Sequence, residues 1–321
     1  MVEDATLRRG LAATLDRTEL DGFGRLERGK VRDSYVGPNR RTIVVTDRLS
    51  AFDRVLTTLP FKGQVLNRAA AFWFDKTRDA VPNHVLDVPD PNAMVVTECR
   101  LIPVEMVVRA YLTGSTSTSI WVRYDHGDRI YCGHRLPAGL RKHQPLERPL
   151  VTPTTKAAAG LHDQLASREE LLAMGACDAR TFDEMSELAL TLFRLGTEHC
   201  AANGLLLVDT KYEFGRTPDG KLVAIDEVHT PDSSRFWVAA TYQQRLAEAK
   251  DPDALDKEYV RRWYAQQGFR GDGEPPAIPD DVRLEAARRY IDAFERITGT
   301  PFVPDLEEPT ARLHRNLARW R

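Results

Sequence analysis

The sequence carries almost no net charge: 45 Lys and Arg residues stand against 47 Asp and Glu among 321, leaving −2 at neutral pH. That balance excludes a broad basic surface for nucleic acid or an anionic membrane, so any phosphate-binding cations must be placed locally. Cysteine is scarce. Cys99, Cys132, Cys177 and Cys200 form no CxxC pair, and none has a histidine at zinc-ligand spacing. A disulfide framework and a structural zinc are thereby excluded, which implies free thiols in a reducing compartment. The opening stretch MVEDATLRRGLAATLDRTEL is acidic early and lacks a long apolar run. It fits neither a signal peptide nor a membrane span, and a cytoplasmic location follows. Also missing are a Walker A sequence, a GxGxxG opening a helix, and the HRD and DFG elements of protein kinases. Internal repeats and low-complexity tails are absent as well.

What is there is an ordinary globular mixture, 42% hydrophobic and 29% charged. A chain of this length can form one compact unit with two or three lobes. Strand-like and helix-like segments are mixed. Residues 42–46 (TIVVT), 94–97 and 104–109 read as strands, and residues 65–78 carry Leu66, Ala69, Ala70, Trp73 and Phe74 at helical spacing. Thr181 opens a helix with Glu184 three residues on, a capping-box pattern. Its stripe is Phe182, Met185, Leu188, Ala189, Leu192 and Phe193, and Asn203-Gly204 ends it. A last helix over 282–297 follows Asp280-Asp281 and carries Ala286, Tyr290, Ile291, Phe294 and Ile297. Residues 133–160, rich in Pro, Gly, His and basic side chains, read as a long surface excursion of the kind that often carries function.

The most informative stretch is LLLVDTKYEFGRTPDGKLVAIDE, residues 205–227. Two β-like runs flank Asp219-Gly220, a strong hairpin signal. Centring the turn on that pair sets Glu213 directly opposite Asp226, with Cβ atoms about 4.5–5.5 Å apart. Like charges so placed repel, and a bound divalent cation removes the penalty. Carboxylate oxygens suit Mg²⁺, which also keeps water and nucleotide phosphate oxygens. Lys211 shares a face with Glu213, and a fixed ammonium beside a metal suits phosphoryl transfer. The same residues also fit a solvent-exposed hairpin whose acids face water, and a one-residue change of register would break the pairing.

Three weaker signals accompany it. In GFGRLERGKVRDSY, Gly22, Gly24 and Gly29 precede Lys30 and Arg32, so backbone N–H groups could approach phosphate; an ordinary glycine-containing hairpin reads the same way. In LIPVEMVVRAYLTGS, Glu105 and Met106 sit in an apolar strand whose edge could serve a purine or simply build core. Arg109 at its end calls for an anionic partner, and Gly114 and Ser115 follow in a polar turn. TPDSSRF at 230–236 supplies Asp232, Ser234 and Arg235, the last able to clamp a phosphate bidentately, or else a polar loop capping a helix.

Taken in order, GKVRD (29–33), TDRLSAFD (46–53), VEMVVRAYLTGS (104–115), TPTTKAAAGLHD (152–163), VDTKYEFG (208–215) and DEVHTPDSSRFW (226–237) resemble the SAICAR synthetases, phosphoribosylaminoimidazole-succinocarboxamide synthases, in their longer, fungal-type form. The resemblance implies ATP-dependent ligation of L-aspartate to 5-amino-1-(5-phosphoribosyl)imidazole-4-carboxylate through an acyl phosphate. The products are the succinocarboxamide ribonucleotide, ADP and phosphate, a step of purine biosynthesis. It implies that Gly29, Lys30, Val31, Arg32 and Asp33 hold ATP phosphates, and that Glu105, Met106 and Val108 belong to an adenine hinge. Glu213 and Asp226 would bind Mg²⁺ and Lys211 would stabilise the transferring group. Arg109, Ser115, Asp232, Ser234 and Arg235 would hold the ribonucleotide. Asp47, Ser50, Asp53, His162 and Asp163 take no assigned role. The implied fold is α+β: an N-terminal antiparallel β lobe (1–110), similar to kinase N-lobes and ATP-grasp enzymes, a central α+β lobe with the metal hairpin (111–250), and C-terminal helices (251–321), with ATP between the lobes. The implied partners are small molecules only, and the longer form implies a monomer.

Two other functions share these parts. A kinase-like phosphotransferase would use the same loop, hinge and carboxylates but needs the missing HRD and DFG. A non-catalytic nucleotide-binding module would be expected to lose metal or lysine positions, whereas Lys211, Glu213 and Asp226 are all present.

Overall fold

A computed structural model describes residues 2–52, 54–156, 164–255, 258–271 and 273–321. A short helix α1 (Asp4–Leu11) precedes the first sheet, built from β1 (Arg25–Arg28), β2 (Arg32–Val36) and β3 (Arg40–Val45). A small hairpin, β4 (Arg48–Ala51) and β5 (Arg54–Thr58), leads into α2 (Lys62–Thr77), and β6 (Val85–Asp90) and β7 (Ala93–Thr97) complete the sheet. Its order is β1-β2-β3-β7-β6, antiparallel throughout. α2 covers it because Val65, Leu66, Ala69, Ala70, Trp73 and Phe74 recur at helical spacing and are all buried. Burying each such large side chain contributes about 1.5–3 kcal/mol.

The second sheet is six-stranded. Its centre is β8 (Arg100–Tyr111), which is followed by α3 (Ile120–Asp125) and a two-stranded hairpin, β9 (Ile130–Tyr131) with β10 (His134–Arg135). β11 (Pro145–Val151) and β12 (Thr154–Thr155) line one side of β8; after α4 (Arg168–Ala173) and α5 (Ala179–Ala202), β13 (Leu205–Arg216) pairs with its other side. β14 (Leu222–Ile225) and β15 (Ser234–Val238) both pair with β13. α5 packs on β13 and β8 through Met185, Ala189, Leu192 and Phe193. The excursion expected over 133–160 thus contains an edge strand, which tolerates Pro145 and Pro149 because one side of an edge needs no N–H donors.

The chain ends in α6 (Ala239–Ala247), α7 (Glu258–Gln266), α8 (Asp280–Thr298) and α9 (Pro309–Leu317). α8 packs on α2 and α9 on β6, so the C-terminal segment returns to the first sheet. There the fully buried Arg312 pairs with Asp90 at 3.0 Å.

Four expectations need correction. β8 belongs to the second sheet, so the chain crosses between lobes at residues 98–99, not at 110. Thr181 lies inside α5, whose N-cap is Asp178, accepting from Thr181 N–H at 2.7 Å. The capping box belongs to Ser167 and Glu170 of α4. Lastly, the β13–β14 hairpin closes one residue out of the expected register, so Glu213 faces Ile225 rather than Asp226. Its turn spans three residues: Gly220 N–H bonds Thr217 O at 2.8 Å, Gly220 adopts φ 86°, and Pro218 takes the first corner. A type I turn followed by a left-handed glycine makes that loop, whereas a two-residue type I′ turn needs positive φ at Asp219 too.

Candidate active site

The site is organised by one face of β13. Strand alternation sends Tyr212 and Phe214 into the core and leaves Asp209, Lys211 and Glu213 in a row on the other face. That row is about 13 Å long. Across the ladder, β8 sets Arg109 opposite Asp209, Val107 opposite Lys211 and Glu105 opposite Glu213.

At one end lies a cleft of about 330 Å³, within the range of small-molecule sites. Arg32, Ser34 and Ile43 of the first sheet form one wall, Lys156, Glu213 and Asp226 the other, and Thr97–Cys99 at the crossing borders it. Lys211 Nζ bridges Glu105 and Glu213 at 2.7 and 2.8 Å. Lys156 also pairs with Glu213, and Arg32 pairs with Asp226 and, at 2.7 Å, with Glu227. Burial alone would pull the Lys211 ammonium down, but Glu213, Glu105 and Asp226 hold its pKa above the ordinary lysine value. Lys211 is therefore a fixed cation. Burial likewise raises the Asp226 carboxyl, and Arg32, Lys211 and Lys156 more than reverse this, holding it below the usual carboxylate range.

Although Asp226 is off register with Glu213, both line the cleft. Asp226 follows the last residue of β14 and adopts φ 67°. This left-handed step breaks the alternation that would have turned its side chain to the far face. Among the described residues no group of three or more His, Cys, Asp or Glu forms a metal cage. Glu213 and Asp226 instead offer hard carboxylate oxygens from two positions, a donor set suited to Mg²⁺, which is usually bound by one or two carboxylates plus phosphates and water.

At the other end is a second pocket of about 240 Å³, lined by Arg109, Ser115, Asp209, Asp232, Arg235 and Arg261 among others. Asp209 organises it. Arg235 Nε donates to Asp209 Oδ1 at 2.9 Å and Arg109 Nη1 to Oδ2 at 3.3 Å. Burial raises the Asp209 carboxyl, but Arg235 and Arg109 outweigh it and hold it below its ordinary value. Two guanidinium groups aimed from one carboxylate make a clamp for a planar or tetrahedral anion. Gly114 adopts φ 118°, and a Cβ there would lie 2.3 Å from Ser119 Cβ, so the turn beside Ser115 requires glycine.

Residues 25–276 match the family model for SAICAR synthetase. The chain belongs to the SAICAR synthetase family. It is 46% identical over 301 residues to the phosphoribosylaminoimidazole-succinocarboxamide synthase of Legionella pneumophila (strain Paris), covering 93% of this chain and 96% of that one. Identity to the synthase of Bacteroides fragilis (strain YCH46) is 44% over 294 residues, 90% of this chain and 92% of the other. The structure of the SAICAR synthase from Saccharomyces cerevisiae, complexed with SAICAR, matches with a TM-score of 0.78 at 30% identity, over 91% of this chain and all of that one. The α+β fold and the enzyme class expected from the sequence, an ATP-dependent carbon–nitrogen ligase of purine biosynthesis, accord with this membership.

In this SAICAR synthetase family member, the nucleotide expectations divide. Gly29, Lys30 and Val31 form the loop between β1 and β2, and Arg32 reaches the cleft. Asp33 does not: it points to the opposite face of β2, is fully buried, and accepts from Thr18 and Arg48. Glu105, Met106 and Val108 do not form a free strand edge, because β8 is paired on both sides there. Met106 and Val108 are core, and Glu105 enters the site through its side chain. Asp232 lines the second pocket, yet its two oxygens already accept from Lys62 at 2.8 Å and Tyr290 at 2.6 Å. Ser234 is buried and donates to Thr210 at 2.7 Å. Asp53, His162 and Asp163 lie outside the described residues. Asp47 is buried and accepts backbone N–H groups of Leu15 and Gly63, each at 2.8 Å. Sequence reading missed Asp209, Lys156 and Glu227. Asp209 had a signal: it lies two residues before Lys211, hence on the same strand face. Among the described residues, no helix is long and apolar enough to cross a membrane.

Proposed function

We propose that this chain joins L-aspartate to 5-amino-1-(5-phosphoribosyl)imidazole-4-carboxylate by first passing the γ-phosphoryl group of ATP to the carboxylate. A carboxylate oxygen attacks the γ-phosphorus and ADP leaves. The aspartate amine then attacks the acyl carbon, the C–O bond to phosphate breaks, and the amine gives up a proton. One observation carries this reading: a single strand face runs from an anion clamp at Asp209, past Lys211, to carboxylates at Glu213. ATP would occupy the cleft, its base against Thr97–Cys99 and its phosphates beneath the Gly29–Val31 loop. The ribonucleotide phosphate would sit between Arg109 and Arg235. Its carboxylate then falls near Lys211, whose charge offsets that developing on the transferring group. Glu213 and Asp226 would hold Mg²⁺, which when bound neutralises phosphate charge; Arg32 and Lys156 would then turn from these carboxylates to the phosphates. Only small molecules are engaged, and the chain acts as a monomer.

ADP release from ATP, Mg²⁺ and the carboxyaminoimidazole ribonucleotide tests the proposal. Release should require L-aspartate and match amide formed; turnover indifferent to aspartate would instead identify a phosphotransferase. Arg235→Gln should raise the KM for the ribonucleotide about 10- to 100-fold, the cost of a charged hydrogen-bonding partner. The KM for ATP should move less than about twofold, because Arg235 lies at the far end of the strand row. Parallel rises in both KM values would refute the division into two pockets.

A further inference from the structure

Three successive carbonyls in the loop between β1 and β2 are held by the segment 46–48, two of them from the buried face by Arg48. Arg48 Nη2 donates to Gly29 O at 3.0 Å and Arg48 Nε to Lys30 O at 3.1 Å. Thr46 takes Val31 O twice, through its N–H at 2.9 Å and its hydroxyl at 2.8 Å. The rest of the guanidinium is fixed too: Nη2 meets Asp33 Oδ1 at 2.7 Å, and Nη1 donates to Asp16 O. Asp33 is in turn held by Thr18, whose N–H and hydroxyl reach Oδ2 at 2.8 and 3.0 Å. Arg48 is 5% exposed and Asp33 is fully buried.

The side from which the loop is held is opposite to the cleft. Along β2, Arg32 and Ser34 face the cleft, while Asp33 and Tyr35 face the buried side where Arg48 and Thr18 lie. In a trans peptide the carbonyl of one residue points opposite to the N–H of the next. Drawing the carbonyls of Gly29 and Lys30 toward the buried side turns the N–H groups of Lys30 and Val31 toward the cleft side, while the Thr46 N–H bond to Val31 O continues the β2–β3 ladder and fixes where the loop leaves the sheet. Successive N–H groups aimed one way form an anion-binding concavity. We infer that Arg48, braced by Asp33 and assisted by Thr46, is a positioning residue: it holds the Gly29–Arg32 backbone in the orientation that binds nucleotide phosphates. Arg48 itself meets the loop from behind and touches no substrate. This gives Asp33 a place in the reaction other than direct contact with ATP, as the buried counter-charge that fixes the guanidinium. A lysine at 48 would keep the charge opposite Asp33 but could not span four separate acceptors, since an ammonium lacks the planar fork.

This inference rests on the reading of the cleft as the nucleotide site, and calorimetric titration of ADP and adenosine separates the two. Both ligands share the base and ribose; only ADP tests the loop. The wild-type chain should bind ADP more tightly than adenosine. Arg48→Lys should weaken ADP about tenfold while adenosine shifts less than about twofold, and Thr46→Val, a milder change that leaves the Thr46 N–H bond, should weaken ADP about threefold. In turnover, Arg48→Lys should raise the KM for ATP and leave that for aspartate unchanged. If both variants keep the wild-type ratio of ADP to adenosine affinity, or lose both ligands in parallel, Arg48 only supports the fold and the inference is overturned. Should Arg48→Lys fail to fold, the Thr46→Val ratio decides alone. Equal affinity of the wild-type chain for ADP and adenosine would refute the nucleotide reading itself.

Discussion

Asp226→Asn should lower kcat about a thousandfold and leave the fold intact. The magnitude follows from the role: a carboxylate that anchors a catalytic cation supplies several kcal/mol of charge stabilisation, and its amide isostere supplies little of it. Survival of the fold follows from geometry. Asp226 adopts φ 67°, a conformation that Asn accepts as readily as Asp. Arg32, which loses Asp226 as a partner, keeps Glu227 at 2.7 Å. The variant should therefore melt within a few degrees of the wild type and still bind the ribonucleotide, whose proposed clamp is built from Asp209, Arg109 and Arg235. Steady-state kinetics over a Mg²⁺ series checks the assignment. Turnover within tenfold of wild type at saturating Mg²⁺ would remove Asp226 from the metal site.

How much of this was legible beforehand varies with the physics of each feature. Long periodic segments were readable because their periodicity is the packing: α2 and α5 lie where their apolar stripes place them, and β3, β7 and β8 contain the β-branched runs that marked them. The pairing of Glu213 with Asp226 was not. Register depends on the turn, and Pro218 ahead of Asp219-Gly220 selects a three-residue loop that shifts the ladder by one. Both acids nonetheless reach the cleft, through the left-handed step at Asp226 that no local pattern announces. Asp33 shows the same limit from another direction. Its neighbours in GKVRD belong to the loop, but strand alternation sends its side chain to the far face, where Arg48 waits 15 residues downstream. The hinge expectation at Glu105–Val108 failed because sequence shows that a strand is apolar without showing whether its edges are paired. Lys156 and Glu227 become site residues only once β8, β13 and the first sheet are brought together, whereas Asp209 was within reach of strand alternation from Lys211.

Lys211→Met should be the other severe variant, lowering kcat by about two to three orders of magnitude with only modest change in either KM. Lys211 sits between the two pockets, on the course proposed for the phosphoryl group, and its ammonium is already bound to Glu105 and Glu213, so little reorganisation would accompany that reaction. Those acids hold its folded pKa above the unfolded value, which sets the sign of the linkage: its contribution to stability is fully present below the unfolded lysine pKa of about 10.4 and is lost only as pH rises through the higher folded value. At neutral pH the methionine variant thus forfeits all of it. Glu105 and Glu213, directly opposed across β8 and β13, are left as like charges without the cation that bridged them, Lys156 pairing with Glu213 and the Thr154 hydroxyl with Glu105. A destabilisation of about 1–3 kcal/mol follows, less than for a fully buried pair because the lysine side chain is 32% exposed. The chemical loss can be told from this structural one by Lys211→Arg. Arginine restores a cation between the glutamates and so most of the stability, but places a broad planar fork where a compact charge is required, so kcat should stay at least about tenfold low. Full activity in Lys211→Arg would reduce Lys211 to a charge that merely keeps two acids together, and near-normal kcat in Lys211→Met would place the phosphoryl transfer elsewhere.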